Sequence, residues 1–148
     1  MVQLDQSDGL YSGLVSEPKN GLNLLRDTIH KNAVDHGFYE IDTSMLNKHN
    51  VLEKLMLVVS ELGEACEAFR KGHYTEKTSL EYPFEKLGEK DFNMMFKLKI
   101  KDRFEDEIAD SIIRLFDLAG FMNIDIEKHI ALKMKYNESR PYKHGKIC

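Results

Sequence analysis

The sequence predicts an all-α fold, a four-helix bundle with one elaborated connection. Three observations predict it. Apolar residues recur at intervals of three and four in several separate stretches, the period of a helix with one buried face. Glycine, proline or a capping residue punctuates those stretches. No segment keeps the two-residue alternation of a half-buried strand. A chain of 148 residues that is 42% apolar also has enough material for one helical domain with its own core.

Residues 1–20 are polar and carry Gly9, Gly13 and Pro18, which predicts a loose arm. Residues 21–148 then form a single helical domain. Leu22, Leu25, Ile29 and Ala33 predict a first helix that stops at Gly37. Ser44 is placed to cap a long second helix that runs to about Lys71, with Gly72 as its stop. Leu52, Leu55, Val59, Leu62, Cys66 and Phe69 form one continuous seam, while Met56, Leu57 and Val58 fill other sides. An apolar surface that wide belongs to the central helix of the domain or to a subunit interface.

His73 to Leu80 reads as an exposed loop, and Pro83 to Lys99 as a short helix broken near Gly88. Asp102 and Glu105 have capping-box spacing at the start of the next helix. Phe104, Ile108, Ile112, Leu115 and Ala119 are its core stripe, and Gly120 its end. Asp125 caps a last helix that reaches about Ser139, before Pro141.

Composition removes several classes of function. A formal net charge of −4 disfavours general binding to nucleic acid or an anionic membrane. Cys66 and Cys148 form neither a zinc-ligand pair nor a disulfide framework. Asp5 and Asp8 stand where a secretory signal needs a basic start, and no apolar run has membrane-spanning length. The expected setting is cytoplasmic.

The chemistry-bearing residues are acidic. Glu61 and Glu64, three apart in the long helix, share a face nearly opposite the apolar seam. Leu57 and Ala68 flank them one turn away on either side. Two carboxylates in such surroundings repel each other and lose hydration, and a divalent cation between them offsets that cost. Glu107 and Asp110 repeat the arrangement on the later helix. Oxygen ligands without cysteine or histidine suit magnesium, with manganese as the alternative. Arg114 and Asp117 read as a continuation of the same solvated stripe. The histidines, His30 and His129 among them, lack ligand spacing and are assigned surface or capping roles.

Leu57-Val58-Val59-Ser60-Glu61-Leu62-Gly63-Glu64-Ala65, followed by Glu105-Asp106-Glu107-Ile108-Ala109-Asp110, resembles the paired acidic motifs of MazG-like nucleotide pyrophosphohydrolases. Lys133-Met134-x-x-Asn137-x-x-Arg140 is similar to the pattern with which the dCTP-pyrophosphatase branch of that family meets its substrate. Ala33 to Tyr39 is similar to the family's first-helix boundary, so the likeness spans about Leu22 to Lys146. Each motif alone is weakly specific; their order on successive helices is more so.

The resemblance implies an all-α nucleoside triphosphate pyrophosphatase fold. It also implies magnesium-dependent cleavage of a nucleoside triphosphate to monophosphate and pyrophosphate, and a homodimer or a tetramer built as a dimer of dimers. It makes Glu61, Glu64, Glu107 and Asp110 the metal ligands and places Lys133, Asn137 and Arg140 on the substrate side. Many members carry a glutamate directly before the first motif, where this chain has Ser60. Glu61 and Glu64 both remain candidates for the general base. The segment between the two acidic motifs is long, with the character of a lid or an extra interface, and residues 140–146 are basic enough for a flap over the triphosphate. Two other functions fit the same residues: a non-catalytic helical binding or regulatory module with a structural cation, and a related hydrolase specific for dUTP or dCTP.

Overall fold

The computed structural model describes residues 21–39 and 48–141. The expected arm, the Ser44 cap and the basic stretch beyond residue 141 lie outside them. Among the described residues there are six α-helices and no strand. They are α1 (Leu22–Asp35), α2 (Lys48–Lys71), α3 (Lys77–Leu80), α4 (Glu89–Lys99), α5 (Phe104–Phe121) and α6 (Ile126–Glu138). A 3₁₀ turn, Phe84–Lys86, precedes α4. None of these helices is long and apolar enough to cross a membrane. The chain divides into two compact units, with the division inside α5 after Leu115.

The first unit holds α2, α3, α4 and the first two-thirds of α5. Gly72 ends α2 as expected, at φ +68°. Its N–H bonds to the Phe69 carbonyl and that of His73 to the Ala68 carbonyl, a left-handed glycine cap. The following segment is a folded strap rather than an open loop. It contains α3, and Ser79 within it is buried. Gly88 precedes α4 in an extended conformation, so the helix breaks where the glycine predicts. Glu89 and Asp91 open α4 and Lys97 and Lys99 close it, the charge order that a helix dipole favours.

The end of α2 is tied to the start of α5. Phe69, Tyr74 and Phe104 meet edge to face, with ring centroids 5.7–6.0 Å apart. The Phe104 N–H donates to the His73 carbonyl, and Arg103 to the Tyr74 carbonyl. The two helices run in opposite directions from this clasp, since Phe69 faces Phe104 while Glu61 faces Arg114. The capping box expected at Asp102 does not form. Glu105 instead accepts from the Thr75 N–H at 2.7 Å, and the Asp102 N–H is taken by Asp106. A partner thirty residues away outcompetes the local motif because it closes the clasp as well as satisfying a donor.

On α2 the large residues of the apolar seam are not the ones the fold buries. The buried face of this helix is Val58, Glu61, Ala65 and Ala68, whereas Leu52, Leu55, Val59, Leu62, Cys66 and Phe69 are exposed. On α5, Ile112 and Leu115 are likewise exposed while Glu107 and Ser111 are buried. Small and acidic side chains therefore occupy the inside of this unit. The wide apolar seam is left on its surface because the small residues, not the large ones, sit where α2 faces its neighbours.

The second unit holds α1, the end of α5 and α6. Gly37, at φ +81°, ends the α1 region as expected. Asp125 caps α6 by accepting from the Lys128 N–H and also takes the Asn23 amide at 2.8 Å. Gly120 does not end α5. A Cβ there would lie 2.5 Å from His30 Cβ, so this glycine permits close approach of α1. The stop is Asn123, at φ +49°, with the Ile124 N–H on the Ala119 carbonyl. His30 and Asp117 are half-buried partners at 2.9 Å rather than surface groups. The Tyr39 hydroxyl donates to the same carboxylate at 2.7 Å, and burial together with that carboxylate pushes the phenol well above its usual range.

Candidate metal centre

Two carboxylates sit inside the first unit with almost no contact with water. Glu61 on α2 is 7% exposed and Glu107 on α5 is 5% exposed. Their local sequence explains the burial. Val58, Ala65 and Ala68 share the Glu61 face, and their small side chains let α5 approach closely enough to cover it. The clasp at the helix ends sets the register that brings Glu107 opposite.

Glu64 joins them from the surface side. Glu61, Glu64 and Glu107 each offer an oxygen such that all three atoms lie within 4.8 Å of one another. Asp110, one turn on from Glu107, is not in that tight group. It lines the same cavity of about 370 Å³, together with Asp102, Asp106, Lys101, Arg114 and Phe96. Phe96 comes from α4, so the long segment between the acidic motifs supplies a wall of the cavity.

The electrostatics follow from like charges held close in a poorly hydrated place. Burial, followed by Glu64, Asp106 and Glu61, pushes the Glu107 carboxyl up to about 7. Asp106 and Asp110 are also raised, chiefly by burial. These are the groups a divalent cation would stabilise in ionised form. All the donors are carboxylate oxygens, the ligand type that hard divalent cations favour.

The opposing positive charges are few. An Arg114 Nη2 lies 2.5 Å from Glu61 Oε1, and Lys101 pairs with Asp102. Arg114 is thus paired rather than on a solvated stripe, and Asp106, Lys101 and Phe96 join the site with no motif of their own to mark them. The signal for Arg114 was its position one turn after Asp110; its partner on another helix left no local trace.

Of the residues expected on the substrate side, Lys133 and Asn137 lie on α6 and Arg140 just past its end, in the second unit. Lys133 and Arg140 flank one exposed ring, Tyr136, at 5.0 and 5.8 Å from its centroid. Asn137 Oδ1 is buried without a hydrogen-bond partner. Lys133 also lines an open groove with His129, Ile130 and Met134. The two groups of expected site residues are thus each coherent within its own unit. Comparison with protein-family models, with curated proteins and with solved structures finds no match for this chain.

Proposed function

We propose that this protein is a MazG-like pyrophosphohydrolase, with a four-helix bundle of that family's type, which hydrolyses a nucleoside triphosphate to the monophosphate and pyrophosphate with magnesium. The observation that carries the reading is the convergence of Glu61, Glu64 and Glu107 oxygens within 4.8 Å at a largely buried point. Burying like charges together costs several kcal/mol without a counter-ion. An arrangement kept at that cost fits a role in holding a cation.

When bound, the cation would neutralise triphosphate charge and align the α-phosphorus for attack by water. The chain's own groups supply the rest. Glu61, Glu64, Glu107 and Asp110 hold the cation. Glu61 or Glu64 accepts the proton of the attacking water. Lys133 and Arg140 meet phosphate charge, and the unsatisfied Asn137 Oδ1 accepts a hydrogen bond from substrate.

The same reading includes self-association as a homodimer or a dimer of dimers in the cytoplasm. Its support is the uncovered seam on α2, where Leu52, Val59 and Phe69 are each more than half exposed. Patches of that extent are unusual on a free soluble chain. The activity is tested with a panel of ribo- and deoxyribonucleoside triphosphates, assayed for pyrophosphate with magnesium and with chelator. At least one nucleotide should yield pyrophosphate and monophosphate only when the metal is present. No release from any of them would overturn the reading.

A further inference from the structure

Arg114 is the group that neutralises Glu61. Its Nη2 lies 2.5 Å from Glu61 Oε1, and the Glu61 side chain is 9% exposed. The cavity around them is lined by six carboxylates and only two basic groups, Lys101 and Arg114, and Lys101 is engaged by Asp102. Of the charged groups facing Glu107, three are carboxylates, Glu64, Asp106 and Glu61, and one is Lys101. Arg114 therefore occupies the electrostatic place a cation would take at Glu61.

Its guanidinium is suited to leave that place. The Arg114 side chain lines the cavity and is 40% exposed, so it is not locked in the interior as Glu61 is. Its Nε is buried and has no hydrogen-bond partner, which leaves a donor unused in the present pairing. A guanidinium offers a fork that matches two phosphate oxygens. A phosphate bound beside the carboxylates would lie within the cavity that Arg114 lines.

We propose that Arg114 is an exchangeable counter-ion: it holds Glu61 in the metal-free protein and turns to a phosphate of the triphosphate once a divalent cation takes Glu61. This rests on the cation site proposed above and adds to it a residue outside the family-like motifs. It makes Arg114 a competitor of the metal and a ligand of the substrate. A purely structural ion pair would also oppose the metal but would not bind the substrate.

The experiment is a manganese titration of the full chain, followed by spin resonance, with inorganic tripolyphosphate then added to the manganese-loaded protein. Arg114→Met should bind manganese about tenfold more tightly than the wild type, because a nearby positive charge is gone, and should bind tripolyphosphate at least tenfold more weakly. Arg114→Lys keeps the charge without the fork. It should leave manganese affinity near wild type and weaken tripolyphosphate, and it carries the test alone if Arg114→Met does not fold by circular dichroism. Wild-type protein that binds no manganese would overturn the cation site itself. Wild-type binding with equal or weaker manganese affinity in Arg114→Met, or unchanged tripolyphosphate affinity in Arg114→Lys, would overturn only the role of Arg114.

Discussion

Glu61 and Glu107 project from two helices of opposite direction and bring carboxylate oxygens within 4.8 Å of each other, although both residues are more than nine-tenths buried. Arg114 pairs with Glu61 beside this contact. Replacing Glu107 with glutamine removes one like charge and keeps the shape. In chelator at pH 8, Glu107→Gln should raise stability by about 1–3 kcal/mol, measured by denaturant unfolding. The same change should remove cation binding, so stability and function move in opposite directions.

Proton linkage gives a second expectation. The Glu107 carboxyl titrates at about 7 in the fold against an ordinary value of 4.5. A group raised on folding contributes stability that is complete below its unfolded value and is lost as pH rises through its folded value. Asp106 and Asp110 are raised as well and act in the same direction. Metal-free protein should therefore melt several degrees lower at pH 8 than at pH 6, and Glu107→Gln should flatten much of that difference. Glu105, lowered chiefly by the Thr75 N–H, acts oppositely, since its contribution disappears only as pH falls into the acid range. A melting temperature in chelator that rises from pH 6 to pH 8 would contradict this assignment.

The surface of α2 gives a third. Val59 and Leu62 lie at the middle of the exposed seam, and charges there would be intolerable in a covered interface. Wild-type protein should sediment as a dimer or larger. Val59→Lys with Leu62→Glu should shift it to monomer while circular dichroism retains the helical signal. Wild-type protein that sediments as a monomer at high micromolar concentration would contradict the proposed association.

Backbone geometry at the end of α5 gives a fourth. Gly120→Ala places a Cβ against His30 Cβ, an atom near the backbone with little freedom to yield. It should cost about 1–3 kcal/mol in denaturant unfolding. Asn123 holds φ +49°, so Asn123→Val should cost about 1–2 kcal/mol, whereas Asn123→Gly should be neutral or stabilising. Equal effects of the two Asn123 substitutions would show that the left-handed cap is not what ends the helix.

These positions also show how far the sequence could be read. The all-helical class, the Gly72 stop and the Asp125 cap depend on neighbours within a few residues, and they stand as expected. The pairing of Glu61 with Glu64 on one face follows from helical period alone. Period reveals a stripe but not what covers it: the Leu52 to Phe69 seam fits a central helix or a subunit interface equally, and the residues the fold buries on α2 are Val58, Glu61, Ala65 and Ala68. The Asp102–Glu105 box and the Gly120 stop failed for a related reason. Thr75 and His30 reach them from distant segments, and no local spacing encodes such a partner. For the same reason the stripe position of Arg114 does not disclose its partner, because that partner is on a helix some fifty residues earlier.

The most direct test of the shared site is a manganese titration comparing the wild type with Glu64→Gln on α2 and Asp110→Asn on α5. The account predicts saturable binding by the wild type and at least a tenfold loss of affinity in each variant, with helical circular dichroism unchanged. Wild-type affinity retained in both variants would mean that the two helices do not build one cation site.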